Sequence, residues 1–135
     1  MNNLFYWLMA LSLGILAVSC RTGDTAAASE NLPPLQASEF LKQTPQALLI
    51  DVRNPDEYKV EHIAGAKLIP LPELGGRLAE IPKDKPLLLY CHSGRRSLNA
   101  LNLLKSKGYK DLRQVEGGIT AWKEKGLPLE NGSSR

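Results

Sequence analysis

The chain has 135 residues, of which 43% are hydrophobic and 23% charged, and its formal net charge is +3. This length allows one hydrophobic core and is short for two. The basic residues are spread along the chain without aromatic interleaving, which argues against a nucleic-acid partner. The sequence contains no paired CxxC motifs of the kind that metal clusters use. We therefore predict one folded domain without a metal site.

The N-terminal segment NLFYWLMALSLGILAVSC ends at Cys20. Its apolar run over residues 4–18 is shorter than the roughly 20 residues that a membrane-spanning helix needs, so it predicts the hydrophobic region of a signal peptide. The small residue before Cys20 resembles the signal of bacterial lipoproteins, in which the cysteine is lipidated and becomes the mature N-terminus. A plain cleaved signal, an uncleaved N-terminal anchor and a buried helix remain alternatives.

The lipoprotein resemblance implies a signal peptide over residues 1–19, lipidated Cys20 and attachment to a membrane on its periplasmic side. Arg21 stands where lipoproteins retained in the inner membrane commonly have Asp, which favours the outer membrane. The stretch RTGDTAAASENLPP is small and polar and ends in two prolines. Residues 20–34 are therefore predicted to form the lipidated cysteine with a flexible tether.

The folded domain is expected over residues 35–129, with residues 130–135 as a disordered tail. In chain order, the candidate helices SEFLKQ, PDEYKVEH, PELGGRLAEI and RSLNALNLLKSKG alternate with the apolar runs ALLIDV, AKLIPL, PLLLYC and DLRQVEG. ALLIDV and PLLLYC are apolar without alternation, which is typical of strands covered on both faces. This order indicates a largely parallel sheet with helices on both sides.

The longest candidate helix has a clear apolar stripe. Leu98, Leu101 and Leu104 recur in it at helical spacing. Gly108 follows and provides a C-terminal stop.

Cys91 ends the strand PLLLYC, at the edge where sheets of this kind bind ligands. A loop closed by Gly94 and a helix starting near Ser97 would direct amide groups and the positive end of the helix towards the thiol. Arg95 and Arg96 add positive charge, and Ser97 can cap the helix or donate a hydrogen bond. These surroundings favour the nucleophilic thiolate, while a buried structural cysteine is the alternative.

The loop CHSGRRS resembles the active-site loop of the rhodanese family, which has a cysteine, a glycine three residues on and an arginine two beyond it. The segment LLIDVRNPDEYKVEHIAGAKLIPL is similar to the N-terminal signature of that family, and VEGGITAWKEKGLP is similar to its C-terminal signature. The three motifs occur in the expected order and cover essentially the whole domain. The resemblance implies an α/β rhodanese fold, with a central, mostly parallel five-stranded sheet and helices on both faces.

The resemblance also implies a thiosulfate sulfurtransferase that uses no cofactor. In the family, the cysteine thiolate takes the outer sulfur from an anionic donor such as thiosulfate, forms a persulfide and passes the sulfur to cyanide or a thiol. Carried onto this chain, Cys91 is the nucleophile and persulfide carrier, and Arg96 steers the donor. The implied substrate-binding residues, whose amides cradle the persulfide, are His92, Ser93, Gly94, Arg95, Arg96 and Ser97.

Loop length bears on the rival reactions. Cell-cycle dual-specificity phosphatases share the fold but have one more residue between the cysteine and the arginine. Four residues separate Cys91 from Arg96, which favours sulfur over phosphate. An arsenate reductase on the same fold and a non-catalytic module that binds or relays sulfur for a partner remain alternatives.

Polar residues outside the loop have simpler interpretations. Asp51 and Arg53 follow a buried strand and could support the site from there, but an ion pair with loop-capping hydrogen bonds explains them as well. His62 is expected to have a structural role at a helix end. His92 is expected to face solvent near the mouth of the pocket, where it could tune donor access.

The C-terminal signature supplies core and turn positions. Ile119 and Trp122 have the spacing of core residues on the last helix. Gly117 and Gly118 are expected to form a tight strand-to-helix turn close to the pocket.

Overall fold

The computed structural model describes residues 30–132. The predicted signal peptide, Cys20 and most of the predicted tether lie outside these residues. Within residues 30–132, none of the helices combines the length and the apolar character needed to cross a membrane.

The described residues form five strands and five α-helices in alternation. The strands are β1 (Asn31–Leu32), β2 (Leu48–Asp51), β3 (Lys67–Leu68), β4 (Leu87–Tyr90) and β5 (Leu112–Val115). The helices are α1 (Pro34–Gln43), α2 (Pro55–Val60), α3 (Leu71–Leu74), α4 (Arg95–Ser106) and α5 (Gly118–Glu124). The predicted helix PELGGRLAEI is divided into α3 and a 3-10 turn at Leu78–Glu80, because the glycine pair between them favours helix weakly.

All five strands run parallel, in the spatial order β1-β5-β4-β2-β3. Strand β4 therefore lies in the middle, with β2 on one side and β5 on the other. The predicted parallel α/β sheet is confirmed. Because parallel strands all end at the same edge, the residues that follow β2, β4 and β5 come together there.

Two hydrophobic cores cover the two faces of the sheet. One core contains buried residues of β2, α3, β4 and α4, namely Ile50, Leu74, Leu87, Leu89, Ala100, Leu101 and Leu104. The other contains buried residues of α1, β2, β4 and α5, namely Ala37, Leu49, Leu88, Tyr90, Ile119 and Trp122. Ile119 and Trp122 are thus core residues, as predicted. Leu98 is 44% exposed, although it shares the helical spacing of the buried leucines.

The fold extends past both predicted domain boundaries. Strand β1 pairs with β5, and α1 begins at Pro34, so the end of the predicted tether is part of the domain. Proline suits the first turn of a helix because its missing N–H has no intrahelical partner there. At the other end, Glu130 exchanges backbone hydrogen bonds with His62, at 2.7 and 2.8 Å. The predicted tail therefore begins with a paired residue.

Candidate active site

Cys91 lies at the carboxyl end of β4 and is only 1% exposed. The chain then turns through a short loop into α4, which begins at Arg95, slightly before the start predicted near Ser97. The early start depends on Gly94, which adopts φ +102° as the N-cap residue. This left-handed conformation is unstrained for glycine and costly for other residues. The nucleophile candidate is therefore held between a central strand and the start of a 12-residue helix.

The loop surrounds the Cys91 sulfur with donors. The amide of Gly94 donates to Sγ at 3.0 Å, and the Ser97 hydroxyl lies 3.5 Å from Sγ. Burial acts to raise the pKa of the Cys91 thiol, but donors of the loop outweigh it: the Ser97 hydroxyl, insofar as its single proton points at Sγ, and the amides of Ser97, Gly94 and Ser93. The net effect is a lowered pKa, which favours the thiolate.

The start of α5 packs directly against the loop. The amides of Ile119 and Thr120 donate to the carbonyl oxygens of Cys91 and His92, at 2.8 and 3.2 Å. A Cβ atom on Gly118 would lie 2.5 Å from each of those two oxygens. This close approach confirms the predicted tight turn at the glycine pair, and it fixes the backbone on both sides of the thiol.

Arg96 forms a two-pronged ion pair with Glu57 of α2. Its Nη1 and Nη2 atoms each donate to a carboxylate oxygen at 2.8 Å, and both side chains are about two-thirds buried. Hydrogen bonding by Arg96 is the main cause that lowers the pKa of Glu57 from its ordinary value to about 2. The predicted positive charge beside the loop is therefore partly neutralised. Arg95 is exposed.

A buried polar chain leads from the loop to the edge of the sheet. Ser97 is fully buried and its hydroxyl donates to Oε1 of Gln114 on β5 at 2.7 Å. Nε2 of Gln114 donates to Oδ1 of Asn31 on β1 at 2.6 Å. Ser97 is not the N-cap of α4, because Gly94 occupies that position. The sequence analysis did not assign Gln114 and Asn31 to the site. The one signal that could have pointed to them is a polar glutamine within a short strand.

Asp51 and Arg53 form the buried ion pair that the simpler interpretation predicted. Nη2 of Arg53 lies 2.7 Å from the Asp51 carboxylate, and the Arg53 amide donates to the same carboxylate at 2.9 Å. Nη2 of Arg53 also donates a hydrogen bond to the carbonyl oxygen of Glu61 at 2.7 Å. These contacts stabilise the turn from β2 to α2.

The two histidines occupy different surroundings. His62 is buried, stacks on Tyr58 with ring centroids 3.8 Å apart, and has Nε2 3.5 Å from the Glu130 carboxylate. This packing supports a structural role. His92 is exposed, as expected, and its Nε2 lies 3.5 Å from the Thr120 hydroxyl. It borders a cleft of about 350 Å³ beside the loop, whose other lining residues are Arg53, Glu61, Ile119, Thr120, Lys123 and Glu124.

Comparison with known proteins links this geometry to one family. The sequence model of the rhodanese-like domain family matches residues 34–125 of this chain. A sulfurtransferase of Allochromatium vinosum is 39% identical over 92 residues, covering 68% of this chain and 86% of that protein. The thiosulfate sulfurtransferase GlpE of Pseudomonas fluorescens is 29% identical over 94 residues, covering 70% of this chain and 84% of that protein.

Two further similarities differ in how much of the other protein they cover. The probable adenylyltransferase/sulfurtransferase MoeZ of Mycobacterium tuberculosis is 39% identical over 105 residues, or 76% of this chain, but the chain spans only 27% of its length. The crystal structure of a rhodanese-related protein from Thermoplasma volcanium superposes with a TM-score of 0.69 at 30% identity. That match covers 76% of this chain and 98% of the other.

Proposed function

Because the chain belongs to the rhodanese family, we propose that it is a sulfurtransferase that carries sulfur on Cys91. The proposed donor is thiosulfate or a similar small anion, and the proposed acceptor is a thiol or cyanide. The observation that supports this most directly is the buried Cys91 sulfur, which accepts hydrogen bonds from its own loop and has a lowered pKa. The thiosulfate sulfurtransferase among the relatives supports the choice of donor.

The reaction has two displacement steps on sulfur. In the first, the Cys91 thiolate attacks the outer sulfur of thiosulfate, a new S–S bond forms, and the S–S bond of the donor breaks. Sulfite leaves with the electron pair. In the second, a thiolate or cyanide attacks the outer sulfur of the persulfide, and the bond to Cys91 breaks. The Cys91 thiolate is regenerated, and the acceptor leaves as a persulfide or as thiocyanate.

The loop stabilises negative charge in both steps. The amides of Ser93, Gly94 and Ser97 surround the sulfur, and the N-terminus of α4 adds the positive end of its dipole. A guanidinium has five N–H donors, and Glu57 uses two of those on Arg96. Arg96 can therefore hold Glu57 and still present donors to an anion at the mouth of the loop.

The proposal includes export and membrane attachment through lipid on Cys20. It rests on the apolar run over residues 4–18 and on the small residue before Cys20, both read from the sequence. In that setting the sulfur donor and acceptor would be met on the periplasmic side of a membrane.

The test is the intact mass of the full-length protein after incubation with thiosulfate. We expect a gain of one sulfur atom that cyanide or a dithiol removes. The Cys91→Ser variant should show no gain, and Cys20→Ser should load sulfur normally. A fully reduced Cys91 that gains no sulfur would contradict thiosulfate as donor, and turnover of arsenate or a phosphate ester by that protein would replace the proposal.

A further inference from the structure

The Ser97 hydroxyl has more acceptors than it can serve. Its oxygen lies 2.7 Å from Oε1 of Gln114, 3.1 Å from the carbonyl oxygen of Gly94 and 3.5 Å from Sγ of Cys91. A hydroxyl group has one proton to donate. The shortest of the three contacts is the one to Gln114, and it falls at the usual length for a hydroxyl donor.

The amide of Gln114 is held with its oxygen towards Ser97. On its other side, Nε2 donates to Asn31 at 2.6 Å, so the nitrogen faces β1. Asn31 lies opposite Gln114 in the parallel β1–β5 pairing, and the Gln114 backbone amide donates to the carbonyl of Glu30 at 2.7 Å. Gln114 is 6% exposed, so water competes little for its amide.

From this arrangement we propose that Gln114 is a positioning residue that draws the single proton of Ser97 away from the Cys91 sulfur. The inference rests on the proposed function, because it assigns Gln114 a part in preparing the Cys91 nucleophile. A hydrogen bond to a thiolate stabilises it but lowers its nucleophilicity. With the Ser97 proton on Gln114, the sulfur is stabilised by the loop amides and remains a stronger nucleophile.

The charged groups near the sulfur do not depend on Gln114. Arg96 interacts electrostatically with Cys91, and Glu57 on α2 holds Arg96 in place. His92 and Arg95 on the loop are exposed. Asp51 and Arg53 pair with each other at the end of β2, and Arg53 also donates to the carbonyl oxygen of Glu61. A neutral substitution of Gln114 therefore changes the proton of Ser97 and leaves these charges in place.

The test compares the pKa of Cys91 in the full-length protein and in Gln114→Met. That pKa is read from the pH dependence of alkylation by iodoacetamide, with the Cys91 peptide quantified by mass so that Cys20 does not contribute. Methionine is similar in size and accepts no strong hydrogen bond, so the Ser97 proton turns to the charged sulfur. We expect the pKa to fall by about one unit, the scale of a hydrogen bond to a charged group.

The fall in the pKa of Cys91 that Gln114→Met causes must depend on Ser97. In the Ser97→Ala background, Gln114→Met should leave the pKa of Cys91 unchanged, which is the non-additivity of residues that act through one another. Gln114→Glu keeps an acceptor oxygen in place and should not lower the pKa. A fall of equal size with and without Ser97, or no fall at all, overturns the proposal.

If Gln114→Met does not fold, the Ser97→Ala variant provides a second test of the proposal. With Gln114 intact, Ser97→Ala alone should hardly change the pKa of Cys91, because the proton is not on the sulfur. A rise of about one unit in that variant would place the proton on the sulfur and overturn the proposal.

Sulfur loading separates this inference from the proposed function. Above the pKa of both proteins, Gln114→Met should load sulfur from thiosulfate about threefold more slowly, as expected when the pKa of the attacking thiol falls by one unit. If the variants change the pKa of Cys91 as expected but the wild-type protein never loads sulfur, only the proposed function is contradicted. Normal loading with the wrong pKa pattern would contradict the role of Gln114 alone.

Discussion

Glu57 and Arg96 are 39 residues apart in the chain, and their ion pair joins α2 to the beginning of α4. Glu57 also accepts a hydrogen bond from the Asn54 amide at 2.9 Å, which completes a capping box at the start of α2. One carboxylate thus serves both a helix cap and the arginine of the active-site loop. Its charge is needed for the second role only.

Glu57→Gln tests the ion pair without removing the cap acceptor. The pKa of Glu57 is lowered to about 2, so the pair stabilises the fold fully above the ordinary carboxyl pKa and loses this effect as pH falls towards 2. We expect the variant to lose about 1–2 kcal/mol in the free energy of unfolding at pH 7, allowing for partial exposure. The deficit should shrink between pH 4.5 and pH 2, as measured by urea unfolding.

Asp56→Asn is the matched control, because Asp56 is nearly fully exposed and lies 4.0 Å from its partner Lys59. It should change the free energy of unfolding by less than about 0.5 kcal/mol. Equal losses in Glu57→Gln and Asp56→Asn would show that the pair with Arg96 contributes no special stability.

Single residues show where sequence reasoning stops. Cys91, Gly94 and Ser97 could be assigned to one loop because they are neighbours in the chain, and their amides and side chains do meet around the sulfur. Glu57 and Gln114 could not be assigned, because each reaches the loop only through the tertiary fold. The expectation for Arg96 was incomplete for the same reason, since its partner lies on another helix.

At the scale of elements, the start of α5 supports the active-site loop. Gly118 has φ +64°, and the space that its Cβ would need is occupied by the backbone of Cys91 and His92. A side chain there must push away either α5 or the residues around the thiol.

Gly118→Ala should therefore lower both stability and sulfur loading. We expect loading to fall on the order of a hundredfold, since a displacement of about 1 Å at a reacting group has that effect. Gly126→Ala is the matched control, because Gly126 has φ +66° but nothing within 4 Å of its Cβ position. Gly126→Ala should lose only about 1–2 kcal/mol in the free energy of unfolding, because alanine is strained in the left-handed conformation, and it should load sulfur normally. Thermal unfolding and intact mass measure the two effects.

The elements differ in how well the sequence predicted them. β2 and β4 are continuous apolar runs and were predicted because burial on both faces requires that composition. β1 was missed because two residues after a polar stretch carry no periodicity, and the strand forms only against β5. The early start of α4 depends on the conformation of Gly94, which composition does not reveal.

At the scale of the whole molecule, β1 closes one edge of the sheet. Leu32 of β1 is 9% exposed and belongs to the core that contains Trp122, whereas Leu35 is 58% exposed. Leu32→Ala should cost about 2–3 kcal/mol in the free energy of unfolding. Leu35→Ala should cost less than about 0.5 kcal/mol. Chemical unfolding compares the two, and equal small losses would place β1 outside the cooperative unit.

The parallel sheet also determines when the protein becomes reactive during its biogenesis. Every strand pairing joins distant parts of the chain, and the side-chain contact between β1 and β5 spans 83 residues, so folding must close long loops before its contacts form. Until then the loop amides do not surround Cys91, whose thiol keeps its ordinary pKa and stays largely protonated at neutral pH. A newly made chain therefore acquires the lowered pKa of its Cys91 thiol only on reaching the native state.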